Sequence, residues 1–329
     1  MSAAESAERQ RAMLRTAMGP QIAAALADNE VFEVMVNPDG EIRVDRLGCG
    51  RSVSGASLKS VEVERIIRLV ASHARTEAHG NAPIVSAELP PLGEGLAGER
   101  FEGVLPPVAT GPCFSIRKPA SRIYTLADYE RDGIMSAEVA QLLSQAVADR
   151  QNILVAGGTS SGKTTLANAL LAELAARDER VILIEDTREL QCAAPDTVAL
   201  RTRPGVVNMA DLVRSTLRLR PDRIIVGEVR GGEALDMLKA WNTGHPGGIA
   251  TVHANSSRSA LYRLEQLIQE AVITVPRRLI ADAIDLIVFI EGRGEARRIG
   301  CPELVEGVDS AGDYALRPSI TQSLVPEGE

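Results

Sequence analysis

The sequence predicts an α/β chain in two parts, a smaller α+β domain followed by a domain built on a mostly parallel sheet. Three observations lead there. From Ser136 onward, apolar runs alternate with helical patterns, the order expected of strand, helix, strand units. One of those runs passes into a helix through the glycine-rich loop "GGTSSGKT". Ahead of both, period-two patterns flank a turn signal, which marks an antiparallel hairpin. At 329 residues the chain is longer than one ordinary core needs, so two domains are expected.

An alanine-rich stretch from about Ala7 to Asp28 reads as the first helix. "EVFEVMVNPDGEIRVDRLG" then alternates apolar and polar residues on both sides of Asn37-Pro38-Asp39-Gly40, a hairpin turn. Ile66, Ile67, Val70 and Ala74 suit one face of a second helix. Beyond it, Pro and Gly break up short strands around Phe101 to Leu105 and Cys113 to Arg117. "PASRIYTLADYERDG" is expected to link the domains, with Thr125 and Asp128 capping a short helix inside it. The expected boundaries are thus an N-terminal α+β domain over 1–118, a linker over 119–135 and a C-terminal α/β domain over 136–329. Within the last, Val139, Leu142, Leu143, Ala146 and Val147 form a helix that feeds the strand Ile153 to Ala156. The polar tail from about Pro318 is expected to fray.

Hydrophobic residues make up 45% and charged residues 24%, enough apolar material for packed cores and the composition of a soluble globular chain. The formal net charge of -8 argues against a surface built to coat nucleic acid. Aromatics at 3%, with Trp241 the single tryptophan, argue against base stacking along a single strand. Cys49, Cys113, Cys192 and Cys301 are far apart and form no metal-like pair, which suits reduced thiols in a cytosolic chain. "MSAAESAERQRAML" lacks the pattern of a secretory signal. "LIADAIDLIVFI" carries Asp282 and Asp285 and is too short to span a bilayer. Peripheral attachment through a partner stays open.

Gly157 to Thr164 match G-x-x-x-x-G-K-[ST], the phosphate loop. Its glycines let the backbone wrap a polyphosphate, with N–H groups and a helix N-terminus aimed at the negative charge. Gly158, Thr159, Ser160, Ser161, Gly162, Lys163, Thr164 and Thr165 are the expected nucleotide contacts, Lys163 on the terminal phosphates and Thr164 on Mg²⁺. The helix that follows shows Leu166, Ala167, Leu170, Leu171 and Leu174 at helical spacing. Hydrolysis also needs a carboxylate to hold the metal or orient water. "VILIED" delivers Glu185 and Asp186, and "RIIVGE" delivers Glu228. In a parallel sheet these strand ends gather beside the phosphate loop.

"NTGHPGGIATVHANS" places His245 and His253 around Gly247, Gly248 and Thr251. Their eight-residue separation makes a zinc site weak, and imidazoles that read phosphate state at a strand end fit better. Arg214 and Arg218 share one helical face, with Leu212, Val213 and Leu217 available to the core. Arg220 and Arg230 are candidates for reaching a neighbour's phosphate, as arginines do in ring-forming ATPases.

"GGTSSGKTTLANALL", "VILIEDTREL", "LRLRPDRIIVGEVRGGEA" and "TGHPGGIATVHANS" resemble, in order and spacing, the Walker A, Asp box, Walker B and His box of secretion-superfamily traffic ATPases. "EVFEVMVNPDG" and "RFEGVLPPV…FSIRKPA" resemble the smaller domain of the type IV secretion branch, so the likeness runs from about Leu14 to Gly307. The resemblance implies a homohexamer whose subunits carry a RecA-like ATPase domain behind the α+β domain. It implies ATP hydrolysis with Mg²⁺, inner-membrane channel proteins of a type IV secretion system as partners, and peripheral association at the cytoplasmic face of that membrane. It also implies roles: Lys163 and Thr164 hold phosphates and Mg²⁺, Glu185 belongs to the Asp box, Glu228 is the Walker B carboxylate, and His253 couples phosphate state to motion. Gly227 stands where many phosphate-loop enzymes place aspartate, which leaves both Glu185 and Glu228 as candidates for orienting water. From the smaller domain, Arg100 and Arg117 resemble the family's phosphate-contacting arginines. A DNA translocase and a small-molecule kinase are the competing readings, and the acidic balance and low aromatic content count against direct DNA binding.

Overall fold

The computed structural model describes residues 3–46, 49–90, 98–119, 123–203 and 205–320, apart from the side chains of 3–7, 10 and 295. Residues 91–97, positions 120–122 of the expected linker and the tail 321–329 lie outside the described residues. The chain divides into two units, Met1–Ser121 and Arg122–Glu329.

The first unit packs α1 (Ala3–Ala27) and α2 (Ser60–Ala74) on a six-stranded antiparallel sheet. Its strands are β1 (Val31–Val36), β2 (Glu41–Arg46), β3 (Gly50–Ser57), β4 (Ile84–Glu88), β5 (Arg100–Val104) and β6 (Cys113–Arg117), in the order β3-β2-β1-β6-β5-β4. Alternation decides the faces. Val34, Val44, Phe101 and Ile116 form a buried row with α2's Val63, Ile66, Ile67, Val70 and Ala71. Ala74, expected on that helical face, is exposed, because the helix stops there at a left-handed Arg75 (φ 55). The strand β3 was not legible as one: "GRSVSGAS" has almost no buried position, and pairing with β2 holds it instead of burial.

The second unit begins with α3 (Leu126–Arg131) and α4 (Ala137–Ala148). Thr125 and Asp128 form the expected capping box. Leu126, Tyr129 and Met135 join the core with Leu143 and Val147, so this part of the segment expected to link the domains packs as an element of the second unit. There follow β7 (Ile153–Gly157), α5 (Lys163–Ala172), β8 (Arg180–Glu185), β9 (Asp196–Arg201), α6 (Met209–Thr216), β10 (Arg223–Val226), α7 (Glu233–Asn242), β11 (Ile249–His253), α8 (Ser257–Gln269), α9 (Arg277–Ala283) and β12 (Leu286–Glu291). The strands β13 (Arg298–Ile299), β14 (Glu303–Val308) and β15 (Tyr314–Pro318) close the unit.

The sheet order is β15-β14-β12-β7-β11-β10-β8-β9, with β13 on β12. From β12 to β9 the pairs are parallel, and β14 and β15 add an antiparallel edge. Helices cover both faces, and β7 feeds both cores: Leu154 and Ala156 pack with Trp241 and Leu264, whereas Ile153 and Val155 pack with Leu166 and Leu170. A strand buried on both sides reads as a continuous apolar run, as this one does. On α6 Val213 is buried, but Leu217 is 46% exposed at the helix end, so the expected core role of Leu217 falls away.

At the amino end of β7, Asn152 ties three segments together. Its side chain accepts from Gly248 N–H at 2.9 Å and donates to Ala283 O at 2.9 Å, and its own N–H donates to the Asp285 carboxylate at 2.7 Å. Among the described residues, no helix is long and apolar enough to cross a membrane.

Candidate nucleotide-binding site

The loop from Gly157 to Thr164 turns sharply out of β7 into α5. Ser160 (φ 61) and Gly162 (φ 100) take left-handed backbone conformations, and glycine relieves the second of them. A Cβ at Gly157 would lie 2.6 Å from Ser161 Oγ, so the loop closes only around a bare α-carbon. Thr159 and Ser160 are exposed at its tip, Gly158, Thr164 and Thr165 are half-buried, and Ser161 and Lys163 are buried. Ser161 Oγ has no hydrogen-bond partner among the described residues. The first turn of α5 offers backbone N–H groups that a helix cannot pair internally. These groups donate, so a ligand dense in acceptor oxygens complements them.

The parallel register sets His253 opposite Gly157, which carries the imidazole to the phosphate loop. Lys163 Nζ donates to Gly157 O at 3.1 Å and Gly158 O at 2.9 Å, and lies 3.3 Å from His253 Nδ1. On the other side of the ring, Nε2 is 2.8 Å from Glu228 Oε1. An ammonium has only donors, so Nδ1 accepts and Nε2–H donates to Glu228. Burial and the charge of Lys163 hold the imidazole below its usual 6.5, consistent with this neutral form. Arg230 Nε donates to Glu228 Oε2 at 2.6 Å and its guanidinium stands 3.8 Å from Asp186. Glu228 is held at this place by its neighbours: Val229 N–H donates to Thr251 O at 2.9 Å and Thr251 Oγ1 to Gly227 O at 2.7 Å.

Glu185 sits differently. Its residue is 4% exposed, and Oε1 accepts from Glu189 N–H at 2.8 Å and Leu190 N–H at 2.7 Å. Burial nevertheless pushes its carboxyl up to about 7. Thr164 Oγ1 donates to Glu189 Oε2 at 3.3 Å. Sequence reasoning passed over Glu189, whose signal was a further carboxylate four residues after Glu185.

The structure separates the two histidines. His245 lies ahead of β11, at the opposite strand end from His253, with Nδ1 3.2 Å from Ala240 O near the end of α7. It does not face the phosphate loop, which corrects the expectation that both imidazoles read phosphate. Arg220 occupies the turn before β10, also at the amino end, and Arg214 pairs with Asp236 at 2.8 Å. In the first unit, Arg100 and Arg117 are direct cross-strand partners on β5 and β6, flanked in the same register by Glu88 and Glu33.

A family model described as type II/IV secretion system protein matches residues 98–291. The chain is 49% identical over 288 residues to the conjugal transfer protein TrbB of Rhizobium radiobacter, covering 87% of each. It is 31% identical to the type IV secretion system protein VirB11 of Bartonella quintana, over 79% of this chain and 82% of that one. Among solved structures, the Legionella pneumophila ATPase DotB aligns with a TM-score of 0.60 at 18% identity, covering 87% of this chain and 79% of that one, which shows a shared fold.

Proposed function

The chain belongs to the type II/IV secretion system protein family, and on that premise we propose that it is an ATP-hydrolysing motor of a conjugative type IV secretion system. The observation that carries the hydrolysis is the hydrogen-bonded chain from Lys163 through His253 to Glu228 at the carboxyl ends of β7, β11 and β10. The placement in conjugation is supported by the 49% identity to TrbB.

In this reading residues Gly158 to Thr165 of the phosphate loop and the first turn of α5 wrap the polyphosphate, and Lys163 turns from the Gly157 and Gly158 carbonyls to the terminal phosphates. Thr164 and Glu189 offer hard oxygen donors suited to Mg²⁺, which supplies charge neutralisation on the phosphates when bound. Glu228 orients the attacking water, because its carboxylate reaches the lysine through one imidazole, whereas the Glu185 oxygen is spent on backbone amides. His253 loses its lysine partner when phosphate arrives, and so reports occupancy to Glu228 and Arg230. Arg100 and Arg117 are assigned to phosphate contact on the family resemblance alone. The working form is a homohexamer, associated peripherally with inner-membrane channel proteins at the cytoplasmic face, in which Arg220, or Arg230 once it leaves Glu228, reaches a neighbouring subunit. ATP-driven movement then serves pilus assembly or substrate transfer.

Two assays test this. Phosphate release by the wild-type chain with Mg²⁺ and ATP should vanish in Lys163→Ala, and the same variant should fail to restore DNA transfer to a donor lacking the protein. Normal transfer by Lys163→Ala would overturn the reading. Light scattering behind a sizing column, with Mg²⁺ and a non-hydrolysable ATP analogue, tests the ring, and a strict monomer at all concentrations argues against it.

A further inference from the structure

Arg297 belongs to none of the motifs above and follows the family-matched residues 98–291. Topology brings it to the phosphate loop. The strand β12 runs parallel beside β7, with Ile290 opposite Gly157, so the turn leaving β12 stands next to the loop leaving β7. Gly292 (φ 72) folds that turn back so tightly that a Cβ there would meet Ala296 O at 2.2 Å. The Arg297 side chain then lies over Gly162: a Cβ on Gly162 would stand 3.0 Å from Cζ, 3.1 Å from Nε and 3.3 Å from Nη2. Glycine at 162 suits the left-handed backbone angle, and a side chain there would push the guanidinium aside by a few tenths of an ångström.

The electrostatics of this position are unfavourable as they stand. A guanidinium keeps its proton at every working pH, the start of α5 is the positive end of a helix dipole, and Lys163 adds a further charge. Arg297 Nε is shielded from solvent and has no hydrogen-bond partner among the described residues. The buried hydroxyl of Ser161, one residue from Gly162, is likewise without a partner among them. Idle donors gathered at a positive helix end are completed by an anion rich in acceptors, and planar guanidinium matches phosphate oxygens through two parallel N–H groups.

We propose that Arg297 is a second phosphate-binding cation of the nucleotide site, donating Nε–H and Nη2–H to polyphosphate oxygens beside Gly162. The assignment rests on the ATP-binding reading above. It contrasts with a purely structural role, in which Arg297 would serve only the buried Tyr129, whose phenol burial pushes up and the nearby Arg297 charge pulls back.

Calorimetric titration of ADP and of inorganic tripolyphosphate into the wild-type, Lys163→Ala, Arg297→Ala and Arg297→Lys chains separates these roles. Arg297→Ala is expected to weaken both ligands roughly tenfold or more, and Arg297→Lys to recover only part of the loss. The ligand-free melting midpoint of Arg297→Ala should stay within about 2 °C of wild type or rise, since a repulsion is removed. Unchanged affinity for both ligands overturns the proposal, as does a loss confined to ADP, which would put the arginine on the nucleoside. A lowered ligand-free midpoint with wild-type affinities assigns the structural role. If the alanine chain fails to fold, Arg297→Gln reads the same comparison. Failure of the wild-type chain itself to bind either ligand would instead remove the ATP reading, and it is distinguished by being shared with every variant.

Discussion

A Cβ on Gly227 would stand 3.1 Å from Cγ of Glu185. The two strand ends are locked together, with Gly227 N–H donating to Ile184 O at 2.9 Å, so neither can step aside easily. An aspartate at 227, as many phosphate-loop enzymes have, would press a second carboxyl on one already buried. Gly227→Asp is expected to cost about 1–3 kcal/mol of stability, and Gly227→Ala a fraction of that. Thermal melts of the two chains check this, and a wild-type melt for Gly227→Asp would refute it.

The raised carboxyl of Glu185 makes stability depend on pH. Between its ordinary 4.5 and its native value of about 7, the folded chain retains a proton that the unfolded chain has released. This group's contribution to stability therefore falls as pH rises through that window. Glu185→Gln removes the dependence, with an expected gain over wild type of about 2–3 kcal/mol at pH 8 and almost none at pH 4. Urea unfolding at pH 4, 6 and 8 measures it; parallel curves for the two chains would show that Glu185 is not buried as described.

Glu228→Gln is expected to keep nucleotide affinity and lose turnover by on the order of a hundredfold or more, since a water-orienting carboxylate acts mainly in the transition state. Single-turnover phosphate release with a separate Kd measurement isolates the step. Survival of turnover in Glu228→Gln, together with its loss in Glu185→Gln, would exchange the two roles.

Nucleotide binding should take up a proton near pH 6.5. In the free chain, burial and the Lys163 ammonium depress His253; a phosphate that draws Lys163 away and places negative charge beside the ring reverses the second of these effects. Calorimetry of ADP binding in buffers of different ionisation enthalpy reads the uptake directly. His253→Gln should abolish it, and equal uptake by that variant would place the titrating group elsewhere.

What the sequence made legible is the part written in contiguous residues. The phosphate loop, the strand ends bearing Glu185 and Glu228, and the apolar stripe from Leu166 to Leu174 each announce themselves by local pattern. Positions decided by register or by distant partners do not. His245 and His253 looked equivalent in one glycine-rich stretch, yet a parallel strand between them sends them to opposite ends of the sheet. Leu217 looked like a core residue, but its helix ends before it can turn inward. Arg297 carries no local signal, because its neighbour Gly162 lies more than a hundred residues away and meets it only through the pairing of β12 with β7.

The hydrogen bonds of Asn152 have a consequence for synthesis on the ribosome. Two of its partners, Ala283 and Asp285, are made some 130 residues after it, and β7 cannot be flanked on both sides until β12 has been translated. A nascent chain ending before about residue 290 therefore holds the complete phosphate-loop sequence without the walls that shape it. Affinity for nucleotide should appear abruptly as β12 emerges, so that a chain cut short of β12 does not compete for ATP with finished molecules.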